Sequence, residues 1–144
     1  MSQGYLIDTN VLSELMREKP DTQVLAWFSQ QTPSQLFTSA ITHAEILTGV
    51  ALLPAGKRRE GMARAASQIF NEDFLGRCID FGGMAVEHYA LVKVQRQLAG
   101  RPIDIPDAQI AAIALVANLA LVTRNTKDFE GIDGLEVINP WQIH

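Results

Sequence analysis

Apolar residues in this chain fall into short continuous runs and helically spaced sets that take turns along the sequence. Tyr5, Leu6 and Ile7 form an apolar run that stops at Asp8, the pattern of a short buried strand. Val11, Leu12 and Leu15 follow at helical spacing, and Pro20 ends that helix. Val24, Leu25 and Phe28 predict a second short helix. Pro33 and Ser34 predict a turn, and residues 36–39 a second strand. From Thr42, the spacing of Ala44, Ile46, Leu47, Val50 and Ala51 predicts a third helix that Gly49 weakens without stopping.

Pro54, Ala55 and Gly56 break the chain. Lys57, Arg58 and Arg59 then open a more polar helical stretch that runs to about Asn71. Residues 78–81 predict a third strand. Residues 84–98 are amphipathic, with Val86, Ala90 and Val94 in line and Leu91 and Leu98 beside them; Gly100 and Pro102 close this helix. Residues 104–107 lead into a long apolar helix over 108–117, with Asn118 as its stop. Residues 119–122 and 137–138 predict the last two strands. Strands that are apolar on successive positions are covered on both faces. The predicted fold class is therefore α/β: an α/β/α sandwich around a central, mainly parallel, short-stranded sheet, as one domain over residues 1–144.

Composition adds few constraints. Hydrophobic residues make up 47% of the 144, enough for one core, and the net charge of −4 argues against passive binding to nucleic acid through a basic excess. It leaves room for a nuclease whose site is built from carboxylates. The single cysteine, Cys78, excludes an intrachain disulfide and a multi-cysteine zinc site, and its apolar neighbours predict a buried thiol. Asp8 and Asn10 interrupt the first apolar stretch, against a signal peptide. The longest apolar run, residues 110–122, falls short of the ~20 residues that span a bilayer. The expectation is a soluble cytoplasmic protein without membrane contact.

Three acids occupy comparable positions in this pattern. Asp8 ends the first strand, Glu45 follows the second in the first turn of a helix, and Asp107 opens the long apolar helix. In a parallel α/β sheet, strand C-termini and the helix starts that follow lie along one edge, where ligands bind. Three carboxylates distant in sequence thus converge on one crevice. Mg²⁺ takes such oxygen ligands while keeping several waters. It also relieves the repulsion that would otherwise protonate one of the acids. Each acid has a structural reading as well. Asp8 can cap the helix beginning at Thr9. Thr42 to Glu45 fits a capping box. Asp107 suits the dipole of a first helical turn.

Four segments carry a family resemblance. Ile7-Asp8-Thr9-Asn10-Val11-Leu12 resembles the opening motif of PIN domains, and Thr42-His43-Ala44-Glu45-Ile46 with Gly49 resembles their second. Asp107-Ala108-Gln109-Ile110-Ala111-Ala112 resembles the third, and Leu121-Val122-Thr123-Arg124-Asn125 with Asp128-Phe129 the last. Order, spacing and length match the VapC- and FitB-like toxins of toxin–antitoxin pairs over nearly the whole chain. The resemblance implies a Mg²⁺-dependent endoribonuclease, with Mn²⁺ as an alternative ion. It implies Asp8, Glu45 and Asp107 as the acidic triad, catalytic and metal-holding alike. It also implies RNA as substrate, a homodimer, and an antitoxin whose arm blocks the pocket with an Arg or a hydrophobic plug. Many relatives carry Asp where this chain has Asn125, so the fourth acidic position lies open between Asn125 and Asp128, and with it the number of metals.

Around these acids, Asn10 and Thr123 are candidate supporting residues, with Asn125 and Asp128; Thr9 and Ser39 lie near the same edge. Asp104 ranks below Asp107 and reads as the start of a turn. Arg124 and Lys127 flank the site and are candidates for RNA phosphate, with a solvated surface role as the alternative. The basic run at 57–59 reads as an exposed helix face. His43, His88 and His144 have no metal-ligand spacing and receive no role. Two rival functions remain. One is a phosphohydrolase or phosphotransferase with Asp8 as nucleophile, although Asn10 stands where a second Asp is wanted and only Lys127 is available as the late cation. The other is a non-catalytic binding module, receiver-like or derived from a nuclease.

Overall fold

Residues 4–142 are described in a computed structural model. Strands β1 (Tyr5–Ile7), β2 (Leu36–Ser39), β3 (Cys78–Ile79), β4 (Ala120–Val122) and β5 (Val137–Ile138) pair in parallel in the order β3-β2-β1-β4-β5. Six α-helices among the described residues cover them: α1 (Thr9–Leu15), α2 (Thr22–Ser29), α3 (Ala40–Ala51), α4 (Lys57–Gln68), α5 (Val86–Leu98) and α6 (Ile105–Ala117). The chain winds outward from β1 through β2 to β3, then crosses back to add β4 and β5 on the other side. The strand order reverses between β1 and β4, and a crevice opens at such a point beyond the strand C-termini.

Successive strand residues point to opposite faces, which explains the unbroken apolar runs. Leu6 and Leu121 enter a core with Ile110, Ile113, Ala114 and Phe129. Their neighbours Ile7 and Val122 enter another with Val11, Leu12, Val24, Trp27, Ile46 and Phe70. These two apolar layers sandwich the sheet as expected. Burying an aliphatic side chain of this size contributes about 1.5–3 kcal/mol, so the two cores hold strands of only two to four residues in place.

Several expectations need correction. The long apolar helix begins at Ile105 rather than 108, because Pro106 sits in its first turn, where no N–H is required. It ends as expected at Asn118, in the left-handed region with φ 56°. The third strand stops at Ile79, the fourth starts at Ala120, and the polar helix ends at Gln68 and runs on as a π-helical turn over Ile69–Asp73. Cys78 is half-buried rather than fully buried. The apolar line on α5 is not in the core: Val86, Leu91, Val94 and Leu98 are exposed, while Val92 and Arg96 are buried. Helix α6 carries six buried residues and contributes more of that layer than any other element. Helix α5 packs chiefly against α6 and buries Val92 and Arg96 rather than its more apolar line.

Candidate functional site at the carboxyl edge of the sheet

Asp8 follows β1 directly, at the point where the strand order reverses. Its main-chain N–H continues the sheet by donating to the Val122 carbonyl at 2.9 Å. Its side chain is buried and fully engaged. Oδ1 accepts from the Thr9 N–H at 2.8 Å, while Oδ2 accepts from the Thr123 hydroxyl at 2.7 Å and from Asn10 Nδ2 at 3.2 Å. The capping reading of Asp8 holds, and its second oxygen is turned to Thr123 and Asn10. Thr123 is itself fully buried and accepts from Asn10 Nδ2 at 3.2 Å and from the Asn125 N–H at 3.1 Å. Asn10 Oδ1 accepts from the Arg124 N–H at 3.0 Å, which ties the end of β4 to α1. Burial pushes the Asp8 carboxyl above its ordinary range. The bonds from Thr123 and Thr9 oppose the rise, Glu45 adds repulsion, and Asn10 opposes it again.

Glu45 lies in the second turn of α3, not the first, because the helix starts at Ala40 and is capped by Ser39. Ser39 Oγ accepts from the Thr42 N–H at 3.0 Å, so Ser39 serves the helix end and orients no carboxylate, and the capping box at 42–45 does not form. Glu45 is instead held across the crevice by Thr9, whose hydroxyl lies 2.6 Å from Oε1. Thr9 Oγ1 also lies 3.0 Å from the buried Thr42 Oγ1. A hydroxyl has one hydrogen, so when Thr9 donates to Glu45 it accepts from Thr42. Thr42 is a supporting residue that the sequence reading missed.

Asp107 sits in the first turn of α6, half-buried. Its pKa is pushed up to about 7, first by burial and then by the charges of Asp8, Asp128, Glu45 and Asp104. No hydrogen bond pulls it back, in contrast to Asp8. The three predicted acids are therefore within one another's field, joined by Asp128. Asp104 occupies the N-cap position of α6 without capping through its side chain, and it shares a small cavity with Asp107 and Asp128. Asn125 contributes its main-chain N–H to Thr123, while Asp128 contributes charge. Of the two candidates for the fourth position, Asp128 is the one that acts on Asp107 electrostatically.

Arg124 lies with its guanidinium carbon 4.7 Å from the centre of the Trp141 ring, beside Asn10. Lys127 is exposed, and its carbonyl accepts from Arg101 at 3.0 Å. His43 stacks on Phe70 with 4.0 Å between ring centres, outside the acidic cluster. His144 lies outside the described residues. A groove of about 180 Å³ starts at Thr9 and Glu45 and runs over Met16, Ile46, Val50, Leu53 and Met62. Through Met16, Arg58 and Met62 it joins a wider cleft of about 620 Å³ edged by Arg17 and Lys57. Lys57 and Arg58 are exposed on α4, as expected of the basic run, and border this groove and cleft as well. Among the described residues, no helix is long and apolar enough to cross a membrane.

The donor set suits a hard divalent cation. It consists of carboxylate oxygens, and burial first, then the neighbouring acids, raises Asp107, both of which a bound cation would oppose. Among the described residues, no three acids lie close enough to enclose one ion by themselves. Mg²⁺ ordinarily binds through one or two carboxylates and keeps waters and substrate oxygens for its other positions.

The chain is 39% identical over 137 residues to the VapC ribonuclease Y4jK of Sinorhizobium fredii, covering 95% of this chain and 97% of that protein. It is 36% identical over 136 residues to the toxin FitB of Neisseria gonorrhoeae, covering 94% and 97%. A solved structure of FitAB bound to an IR36 DNA fragment superposes with a TM-score of 0.90 at 34% identity, over 97% of each chain. Residues 5–135 match the sequence profile of the PIN domain, and the chain belongs to the PIN-domain family.

Proposed function

We propose that this protein is a Mg²⁺-dependent endoribonuclease that hydrolyses RNA phosphodiester bonds as the toxin of a toxin–antitoxin pair, acting in the cytoplasm where its substrate and partner are made. The observation that carries this reading is the meeting of Asp8, Glu45 and Asp107 at the strand-order reversal, with Asp107 pushed up to about 7. Asp8 and Asp107 would hold the ion, and Glu45 would complete its surroundings directly or through water; Mn²⁺ fits the same donors. When bound, the ion supplies Lewis-acid stabilisation of charge on the phosphate. Thr123 and Asn10 keep the Asp8 oxygens aimed. Thr9 fixes Glu45 Oε1, leaving Oε2 to take a proton from the attacking water. Arg124 and Lys127 are placed to meet RNA phosphate from the rim. Asp128 supports Asp107 as the fourth acid, and Asn125 braces Thr123.

The partners follow from the same surfaces. The apolar groove that begins at Glu45 suits a hydrophobic plug on an antitoxin arm, and the acids at its head suit an Arg. The exposed line Val86, Ala90, Val94 and Leu98 is an uncharged ridge with a spacing of four, which can pack on a copy of itself. We assign it to the homodimer, and Val94→Asp should yield a monomer in light scattering. The rival with Asp8 as nucleophile is less well supported, because the Asn10 amide has no proton to offer a leaving group as a second carboxylic acid would.

The test is incubation of purified protein, free of antitoxin, with total cellular RNA and Mg²⁺, beside EDTA and Asp8→Asn controls. Discrete cleavage in the Mg²⁺ sample alone is expected. No cleavage, together with no Mg²⁺ or Mn²⁺ binding by calorimetry, would favour the non-catalytic binding module.

A further inference from the structure

Helix α5 sends two cations to the back of the acidic cluster. Arg96 is only 5% exposed, on the face that also buries Val92. Its Nε donates to the Arg101 carbonyl at 2.7 Å, and its Nη1 donates to the Asp128 carbonyl. Its own carbonyl accepts from the Arg101 N–H at 2.9 Å. One turn earlier, Lys93 Nζ donates to the Ile103 carbonyl at 2.7 Å. The segment 99–104 runs directly into α6 and Asp107, and the 3-10 turn Thr126–Phe129 carries Asp128. One guanidinium therefore ties together the two segments that bear these acids.

A buried guanidinium costs several kcal/mol of desolvation, and a methionine would cover the same face of α5 without that cost. Close to three acids, the ordinary compensation would be an ion pair. Arg96, Asp104, Asp107 and Asp128 line one cavity of about 60 Å³, yet among the described residues Arg96 forms no ion pair with any of them. Its described bonds go to main-chain carbonyls. A direct pair would occupy carboxylate oxygens and compete with a cation, whereas bonds to carbonyls fix the backbone and leave those oxygens available. Residues behind a metal's ligands hold them in this way, and their loss changes affinity more than fold.

We propose that Arg96 is a positioning residue: by holding the Arg101 and Asp128 carbonyls on one guanidinium, it sets the separation of Asp107 and Asp128 and so the affinity of the cluster for a divalent cation. The proposal rests on the metal-dependent reading above. The test titrates Mn²⁺ into metal-stripped, full-length protein by calorimetry, for wild type, Arg96→Lys, Arg96→Met and Val92→Ala. Melting temperature and the Mg²⁺ dependence of RNA cleavage are followed alongside. Arg96→Met should bind Mn²⁺ about 10–100-fold more weakly. Arg96→Lys should recover part of the loss by reaching one carbonyl, and its cleavage should be restored by raised Mg²⁺. Val92→Ala removes buried volume from the same helix face, and should lower the melting temperature with Mn²⁺ affinity unchanged. If Arg96→Met does not fold, Arg96→Lys against Val92→Ala decides. Wild-type Mn²⁺ affinity in the folded Arg96 variants, whatever their melting temperatures, would overturn the proposal. A wild type that binds no Mn²⁺ would instead remove the metal-dependent reading and this proposal with it.

Discussion

The crevice has two halves, held in different ways. On the Asp8 side, carboxylate oxygens are aimed by side-chain and main-chain donors: Thr9, Asn10 and Thr123 on Asp8, and Thr9 again on Glu45. On the Asp107 side, the clamps fall on the main chain behind the acids, through Lys93, Arg96 and Arg101. Where oxygens receive hydrogen bonds, the bonds stabilise the charged form and oppose the effect of burial. Where they receive none, burial and like charge act unopposed, and Asp107 rises to about 7. One half is oriented in advance, and the other is left to be neutralised by whatever cation binds.

Removing a carboxylate from either half should erase this contrast. Asp8→Asn and Asp107→Asn should each lower cleavage about 10³-fold, the equivalent of several kcal/mol of lost transition-state stabilisation. Circular dichroism should remain that of the wild type. Normal cleavage by either variant, shown free of wild-type enzyme, would refute its assignment.

Asp107 should also show itself in the pH dependence. The folded pKa of Asp107, about 7, lies above its ordinary 3.8. Between those values the folded protein holds a proton that the unfolded chain has released, so metal-free stability should fall as pH rises through that window. Asp107→Asn should flatten that slope in melting curves. Mn²⁺ affinity should move the other way, rising about tenfold per pH unit up to about 7 and then levelling off. On the Asp8 side, Thr123→Val removes the hydroxyl that donates to Oδ2 and strands two donors. It should weaken Mn²⁺ about tenfold and cost about 1–3 kcal/mol of stability in urea titration. The smallest effect should come from Thr9→Val. Glu45 would lose one hydrogen bond, worth about 1 kcal/mol or roughly fivefold in rate, with metal affinity nearly unchanged.

The Asp8 half was far more legible in the sequence than the Asp107 half. A short apolar run ending in an acid predicts a strand terminus, and parallel topology then fixes where that acid lies, so Asp8 and the helix starts after it could be placed from pattern alone. Glu45 was located, but one turn too early, because Ser39 and Thr42 are both plausible caps and only the chain path chooses between them. Arg96 was invisible. A helical pattern scores arginine as polar, and on α5 the more apolar line, Val86 to Leu98, is the exposed one. Which face of a helix is buried depends on the neighbour it meets. Here α5 packs chiefly against α6 and buries Val92 and Arg96 instead, a fact of three-dimensional packing that no spacing encodes. The exchange among Thr9, Thr42 and Glu45 was hidden for a similar reason, since its partners are 33 and 36 residues apart.

The connection from α5 to α6, exposed but for Ile103, is a surface stretch of the kind where chains ordinarily gain or lose residues without harm. Here Arg101 and Ile103 are each fastened through their carbonyls to side chains of α5. Adding a single residue between them would break one fastening or rotate the start of α6, moving Asp107 in either case. Among the described residues, the link between α3 and α4, around Pro54 and Gly56, carries no such side-chain hydrogen bond to an element that bears the acids. Length variation should therefore be tolerated at one surface loop and excluded from the other, so that the number of residues between Arg96 and Asp107 is itself part of the proposed site.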